Sequence, residues 1–217
     1  MRGPVVGFDL DMTLVDSAAG IAATLRATLA EIGRTVTDEQ VWPFIGVPME
    51  VTVEALFPDL DPATVSDRYR ALYPELGLDA VTLLPGAAQA LEAVHALGGR
   101  VLVVSAKVEP SVHRVLAQVG LDAAAGPQAA GRVPDQVTGG LFAGAKGGAL
   151  RAAGADVYVG DHSGDMEAAR VAGCAAVGVD TGPQSSDQLR AAGAEVVLPD
   201  LTAFPAWLHA RVGRHPV

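Results

Sequence analysis

VVGFDLDMTLVDS, residues 5–17, decides the fold. Val5–Phe8 is a short apolar run that stops at Asp9, as a strand covered on both faces should. Asp9, Asp11 and Thr13 follow at a spacing of two. If the backbone stays extended there, all three side chains point the same way. They would then sit at the carboxyl end of a parallel strand, where open α/β sheets carry their sites. Two carboxylates this close repel each other, and their joint charge favours a divalent cation.

Similar apolar runs recur downstream. RVLVVS (100–105), DVYVGD (156–161), AAVGVD (175–180) and EVVLPD (195–200) read as strands, with LDAAA (121–125) as a weaker one. Helical stretches separate them, as in EPSVHRVLAQVG, MEAARVAG and the segment around Ser186–Ala192. Strands alternating with helices imply right-handed βαβ units and a mostly parallel sheet. GPQAAGRVPDQVTGGLFAG (126–144) is rich in Gly and Pro and reads as a long surface loop.

The interval between the first strand and Arg100 is about three times the roughly 30 residues of one βαβ unit. SAAGIAATLRATLAEIG places Ile21, Leu25, Leu29 and Ile32 on one helical face, with Asp16 or Ser17 as its cap. TDEQVWPFI, PMEVTVEALF and PATVSDRYRALYPELG read as three further short helices, punctuated by prolines 43, 48, 58, 62 and 74. PGAAQALEAVHALGG (85–99) returns to the sheet as a crossover helix with Pro85 in its first turn. The expected architecture is α/β: a core of residues 1–15 and 84–217, with an all-helical insert, 16–83, after the first strand. RVGRHPV at the end reads as frayed.

Four more polar positions stand beside these elements. GDHSGD (160–165) sets Asp161 and Asp165 around a turn after an apolar strand. Oxygen ligands of this kind suit Mg²⁺, although Asp165 serves equally as a helix cap. Ser105 ends the RVLVVS strand, where its hydroxyl and the next helix start can hold phosphate oxygens or simply cap that helix. Lys146, in GAKGGAL, is one of two lysines against thirteen arginines. Set between glycines at a helix start, it suits a phosphoryl group as a compact charge and offsets the carboxylates.

The order DxDxT, then Ser, then Lys, then GDxxxD resembles the haloacid dehalogenase-like hydrolase superfamily over the whole chain. GFDLDMTLVDS, VSAK and VGDHSGDMEAARVAG look like its phosphoglycolate phosphatase-like group, and the helical insert is similar to that group's C1-type cap. The resemblance implies a Rossmann-like parallel-sheet core. It also implies a phosphatase acting on a small phosphorylated metabolite. Asp9 would be the nucleophile that becomes an aspartyl phosphate, and Asp11 the general acid and base. Ser105 and Lys146 would bind phosphate. Asp9, Asp11 (through its carbonyl) and Asp161 would hold Mg²⁺, with Thr13 and Asp165 supporting. Met12 departs from the glycine usual at that place and would reshape the pocket floor.

The cap would close over substrate with hinges near Val15–Ser17 and Thr82–Gly86. FIGVPMEVT (44–52) is similar to the cap loop that faces the site, and Arg26, Arg34, Arg68, Arg70, Lys107 and His162 are candidate substrate contacts. A sugar phosphomutase of the same superfamily is the alternative. A metal-free dehalogenase has no use for GDxxxD, and a non-catalytic phospho-ligand-binding protein is a more distant option.

Charge and composition bound the partners. A formal charge of −10 and a pI near 4.8 argue against nucleic acid or an anionic membrane as partner. Half of the residues are hydrophobic, enough for a sizeable core. Cys174 is the sole cysteine, set in VAGCAAVGV, so it reads as a small buried thiol with no disulfide to make. The N-terminus lacks a long apolar run, which with the rest points to a cytoplasmic protein, monomeric or homodimeric.

Overall fold

The computed structural model describes residues 2–214. Six strands make one parallel sheet: β1 (Val5–Phe8), β4 (Arg100–Val104), β5 (Gln136–Thr138), β6 (Val157–Gly160), β7 (Ala175–Val179) and β8 (Val196–Leu198). Their order is β5-β4-β1-β6-β7-β8, so the two halves of the sheet run outward from β1. β1 pairs with β4 through Gly7↔Leu102 and with β6 through Gly7↔Tyr158. Both faces of these strands are covered, which is why their sequences are continuous apolar runs rather than alternating ones. Val6, Phe8, Val101, Val103, Val157 and Val159 pack on one face. Val5, Leu102, Val104 and Tyr158 pack on the other, with Leu150 and Met166.

Helices α5 (Ala87–Ala96), α6 (Glu109–Gln118) and α10 (Phe204–Arg214) supply the first face. Helices α7 (Gly144–Ala153) and α8 (Ser163–Ala172) supply the second, and α9 (Ser186–Ala191) links β7 to β8. The insert comprises α1 (Ala18–Ala30), α2 (Asp38–Val41), α3 (Met49–Leu56) and α4 (Pro62–Leu76). It joins the sheet through a two-stranded antiparallel ribbon, β2 (Val15–Asp16) with β3 (Thr82–Leu83). Its core is continuous with that of the first sheet face, from Leu10 and Leu14 through Ile21, Leu25 and Leu29 to Val65, Tyr69 and Tyr73.

Several local expectations are corrected. Residues 121–125 are not a strand, because Ala123–Ala129 forms 3₁₀ turns; the edge strand is β5, inside the stretch read as a loop. Alanine-rich sequence lacks the β-branched surface that strands pack with. α4 is a full helix of 15 residues rather than a short one. α1 ends at Ala30, so Ile32 lies past it and is half exposed. α5 begins at Ala87 after Gly86 at φ 82°, leaving Pro85 outside the helix. Arg211–Arg214 continue α10 rather than fraying, and residues 215–217 lie outside the described residues.

Candidate active site

Three side chains stand each at the first position past a parallel strand: Asp9 after β1, Ser105 after β4 and Asp161 after β6. The strands are neighbours, so the sheet brings the three to one crevice where its order turns around. All three are buried, as are Asp11, Thr13, Lys146 and Asp165. The Asp9 amide donates to the Val159 carbonyl at 2.9 Å and so extends the β1–β6 ladder by one residue.

The chain does not stay extended after Asp9. The Leu14 and Val15 amides both return to the Leu10 carbonyl, at 2.9 and 3.1 Å, and Met12 takes φ 56°. For a residue with a side chain that left-handed conformation costs roughly 1–2 kcal/mol. This tight turn separates the two aspartates that a straight strand would have aligned. Asp9 faces Lys146, whose Nζ lies 2.9 Å from its Oδ1. Asp11 turns toward the insert, where its Oδ1 accepts from Ser17 Oγ at 2.6 Å and lies 3.4 Å from Lys107 Nζ. Ser17 precedes α1 but spends its hydroxyl on Asp11 instead of capping the helix. Thr13 donates to Asp161 Oδ1 at 3.0 Å.

Lys146 reaches the crevice from the first turn of α7. Its Nζ donates to Asp165 Oδ1 at 2.7 Å, and the other Asp165 oxygen accepts from the His162 amide at 3.1 Å. Asp165 therefore caps α8 and anchors the lysine together. Gly160 must be glycine, since a Cβ there would lie 2.3 Å from the Asp165 carboxyl carbon. Tyr158 lies under Lys146 with its hydroxyl held by the Val104 carbonyl at 2.7 Å.

Carboxylate oxygens of Asp9, Asp161 and Asp165 lie within 4.8 Å of one another. Burial pushes the Asp9 carboxyl up to about 7, against the pull of Lys146 and with the repulsion of Asp165 and Asp11 adding to it. Burial likewise drives Asp161 well above the ordinary range, with Asp165 and Asp9 reinforcing it. Asp161 Oδ2 is buried without a hydrogen-bond partner among the described residues, whereas Asp9 Oδ1 has the Lys146 ammonium beside it. Three buried carboxylates against one ammonium, with Asp161 Oδ2 left unsatisfied, fit a hard divalent cation. Asp11 directs its carboxylate elsewhere, so the carboxylate set is Asp9, Asp161 and Asp165.

Ser105 Oγ accepts from the Lys107 amide at 3.2 Å, which fixes the start of the turn leading to α6. Beyond Asp11 lies a cavity of about 60 Å³ between insert and core. Tyr69, Tyr73, Arg70, Met49, Lys107 and Asp11 are among its lining residues. The ammonium of Lys107 stands 4.5 Å from the Tyr73 ring centroid. Burial works against its charge, but Asp11, Tyr73 and Tyr69 together hold its affinity for the proton above the ordinary lysine value.

Of the arginines named from the sequence, Arg26, Arg34 and Arg68 make exposed ion pairs with Asp38, Asp59 and Glu31. Only Arg70 of the four lines the cavity, and it is paired with Glu50 and Asp67. His162 is partly buried and accepts from the Gly164 amide, and burial lowers its pKa. Cys174 is half-buried rather than buried, and burial raises its thiol to about 11.

Sequence reasoning missed the segment after β7. Thr181 Oγ1 donates to the Met12 carbonyl at 2.5 Å. Gly182 packs on the acidic cluster, where a Cβ would lie 1.9 Å from Asp161 Oδ2. Gln184 bonds both the amide and the hydroxyl of Ser163. The TGPQ composition is a turn signal, but nothing in it points back to residue 12.

Comparison with known proteins agrees with this geometry. The profile of the haloacid dehalogenase-like hydrolases matches residues 6–170. "Probable phosphatase IndB" of Dickeya dadantii is 30% identical over 95% of this chain and 94% of its own length. A phosphoglycolate phosphatase of Haemophilus influenzae is 27% identical, over 82% of this chain and 86% of its own. The crystal structure of a hydrolase from Pseudomonas syringae superposes with a TM-score of 0.77 at 21% identity, covering 95% of this chain and 98% of that one. The chain belongs to the haloacid dehalogenase-like hydrolase family.

Proposed function

We propose that this protein is a Mg²⁺-dependent phosphatase that hydrolyses a small phosphorylated metabolite through an aspartyl phosphate on Asp9. One observation carries the reading: Lys146 bridges Asp9 and Asp165 inside a buried cluster of three carboxylates in which Asp161 Oδ2 lacks a partner among the described residues. Asp9, Asp161 and the Asp11 carbonyl would hold the cation, with Asp165 beside them, and when bound it offsets the negative charge of the carboxylates and of the phosphoryl group.

In the first step a carboxylate oxygen of Asp9 attacks phosphorus. The bond to the ester oxygen breaks, its electron pair leaves with that oxygen, and Asp11 supplies the proton. In the second step water attacks phosphorus while the Asp11 carboxylate takes its proton. The phosphorus–Asp9 bond then breaks, and inorganic phosphate and the Asp9 carboxylate are released. Lys146 and the Ser105 hydroxyl bind the phosphoryl oxygens through both steps. Thr13 fixes Asp161, and Asp165 fixes Lys146. Residues 16–83 act as a cap that excludes water, with the β2–β3 ribbon as its tether. The cavity beside Asp11 then receives the leaving group. The phosphatases among the relatives support this assignment, and the phosphoglycolate phosphatases favour a small acidic ester as substrate. No described helix is long and apolar enough to cross a membrane.

The test is release of phosphate from p-nitrophenyl phosphate and a panel of phosphometabolites, with and without Mg²⁺. Turnover should need the cation and vanish in Asp9→Asn. A wild-type protein that releases no phosphate from any of them would overturn the assignment, and isomerised sugar phosphate without free phosphate would favour a mutase.

A further inference from the structure

Met12 and Ala143 are the non-glycine residues with positive φ among those described, and Met12 lies inside the reactive turn. Nothing about a methionine side chain favours that conformation, so other contacts have to hold the turn. Two contacts do it. The Met12 amide donates to the Val15 carbonyl at 2.8 Å within the turn. The Met12 carbonyl accepts from Thr181 Oγ1, 169 residues away. Thr181 belongs to the stretch that also presses Gly182 on Asp161 and ties Gln184 to Ser163. That stretch therefore grips the loops after β1 and β6 at once.

We infer that Thr181 is a positioning residue that locks Met12 in its left-handed conformation and so sets the angle between Asp11 and Thr13. Without its hydroxyl, the Met12 carbonyl loses its partner and the flanking peptide rotates to relieve the strain. Rotation moves Asp11 on one side and Thr13, with its bond to Asp161, on the other. Glycine or asparagine at position 12 accepts positive φ readily, so the dependence on Thr181 belongs to the presence of Met12. The kinetic part of this inference rests on the phosphatase reading; the conformational part does not.

The test crosses Thr181→Val and Thr181→Ser with wild type and Met12→Gly, using Met12→Asn if loss of the buried Met12 side chain prevents folding. With p-nitrophenyl phosphate, Thr181→Val should lower kcat by about tenfold with KM within about twofold, and Thr181→Ser should restore most of it. In the Met12→Gly or Met12→Asn background the same substitution should cost less than about threefold. A crystal structure of Thr181→Val should show Met12 out of the positive-φ region or its carbonyl turned away. Equal kinetic losses in both backgrounds, or a Thr181→Val structure with Met12 unmoved, would overturn the inference. If the wild type releases no phosphate, the phosphatase reading fails and the crystallographic comparison decides this inference alone.

Discussion

Lys146 Nζ lies 2.7 Å from Asp165 Oδ1, and both side chains are buried. The same nitrogen is 2.9 Å from Asp9, so one ammonium serves two carboxylates. Removing one partner of a buried ion pair leaves the other uncompensated. Lys146→Met should therefore lose turnover on any phosphate ester. It should also unfold at lower urea, by about 3 kcal/mol. Lys146→Arg should fail to restore activity, because a planar guanidinium does not fit where a point charge touches both oxygens. A methionine variant with more than a third of wild-type kcat would contradict this role.

The clustered carboxylates of Asp9, Asp161 and Asp165, with Asp161 Oδ2 unpartnered among the described residues, make a different prediction. A cation that binds the folded state alone raises stability by about 2.7 kcal/mol at a hundred times its Kd. For a chain of this size, that shifts Tm by about 5–10 °C. Mg²⁺ should raise the melting temperature by that amount, and a chelator should reverse it. Asp161→Asn should abolish the shift. Asp11→Asn should keep it, since the Asp11 carboxylate stands with Ser17 and Lys107 instead of the cluster. A Mg²⁺ shift that survives Asp161→Asn would place the cation elsewhere.

A third prediction concerns stability away from the site. Burial works to raise the Asp135 carboxyl, but the Val101 amide, at 2.7 Å, and His95 outweigh it and hold the group below its ordinary value. A depressed carboxyl contributes stability above its unfolded pKa of about 3.9 and loses it as pH falls through the folded value. Asp135→Asn should be less stable than wild type at pH 7 and pH 5. The gap should narrow below about pH 4, where the wild-type carboxyl also protonates. Urea midpoints at several pH values measure it. A gap that stays constant down to pH 3 would mean that ionisation of Asp135 contributes nothing.

These three sites differ in how far the sequence reveals them. Asp9, Ser105 and Asp161 each end a continuous apolar run, so the strand that places them also announces them. Lys146 stands out because lysine is scarce here. β5 escapes notice because Gln136–Thr138 offers three residues and one large apolar side chain. The diverging directions of Asp9 and Asp11 escape it too, because a spacing of two implies alignment only while the backbone is extended. The bend at Leu10 breaks that condition, and Met12 beyond it is held by Thr181 from the loop after β7, two strands away from β1. Tyr69 and Tyr73 are both buried on α4, and their place beside Lys107 depends on how the insert docks, which no local pattern encodes.

That docking gives the last prediction. Lys107 stands between Asp11 and the Tyr73 ring, and Asp11 borders the cavity proposed for the leaving group. A general acid matters most when the departing oxygen is a poor leaving group and least when it is a phenolate. Asp11→Asn should therefore lower kcat/KM far more for an alkyl phosphate than for p-nitrophenyl phosphate. Lys107→Met should show the same asymmetry in weaker form, about tenfold or more on the alkyl ester, because it frees Asp11 from one of its two anchors while Ser17 remains. Tyr73→Leu, which takes away the ring beneath the ammonium, should follow Lys107→Met in direction. If both esters suffer equally in the Asp11 and Lys107 variants, Lys107 acts on the phosphoryl group rather than through Asp11. The measurement is the ratio of kcat/KM for the two esters across the variants.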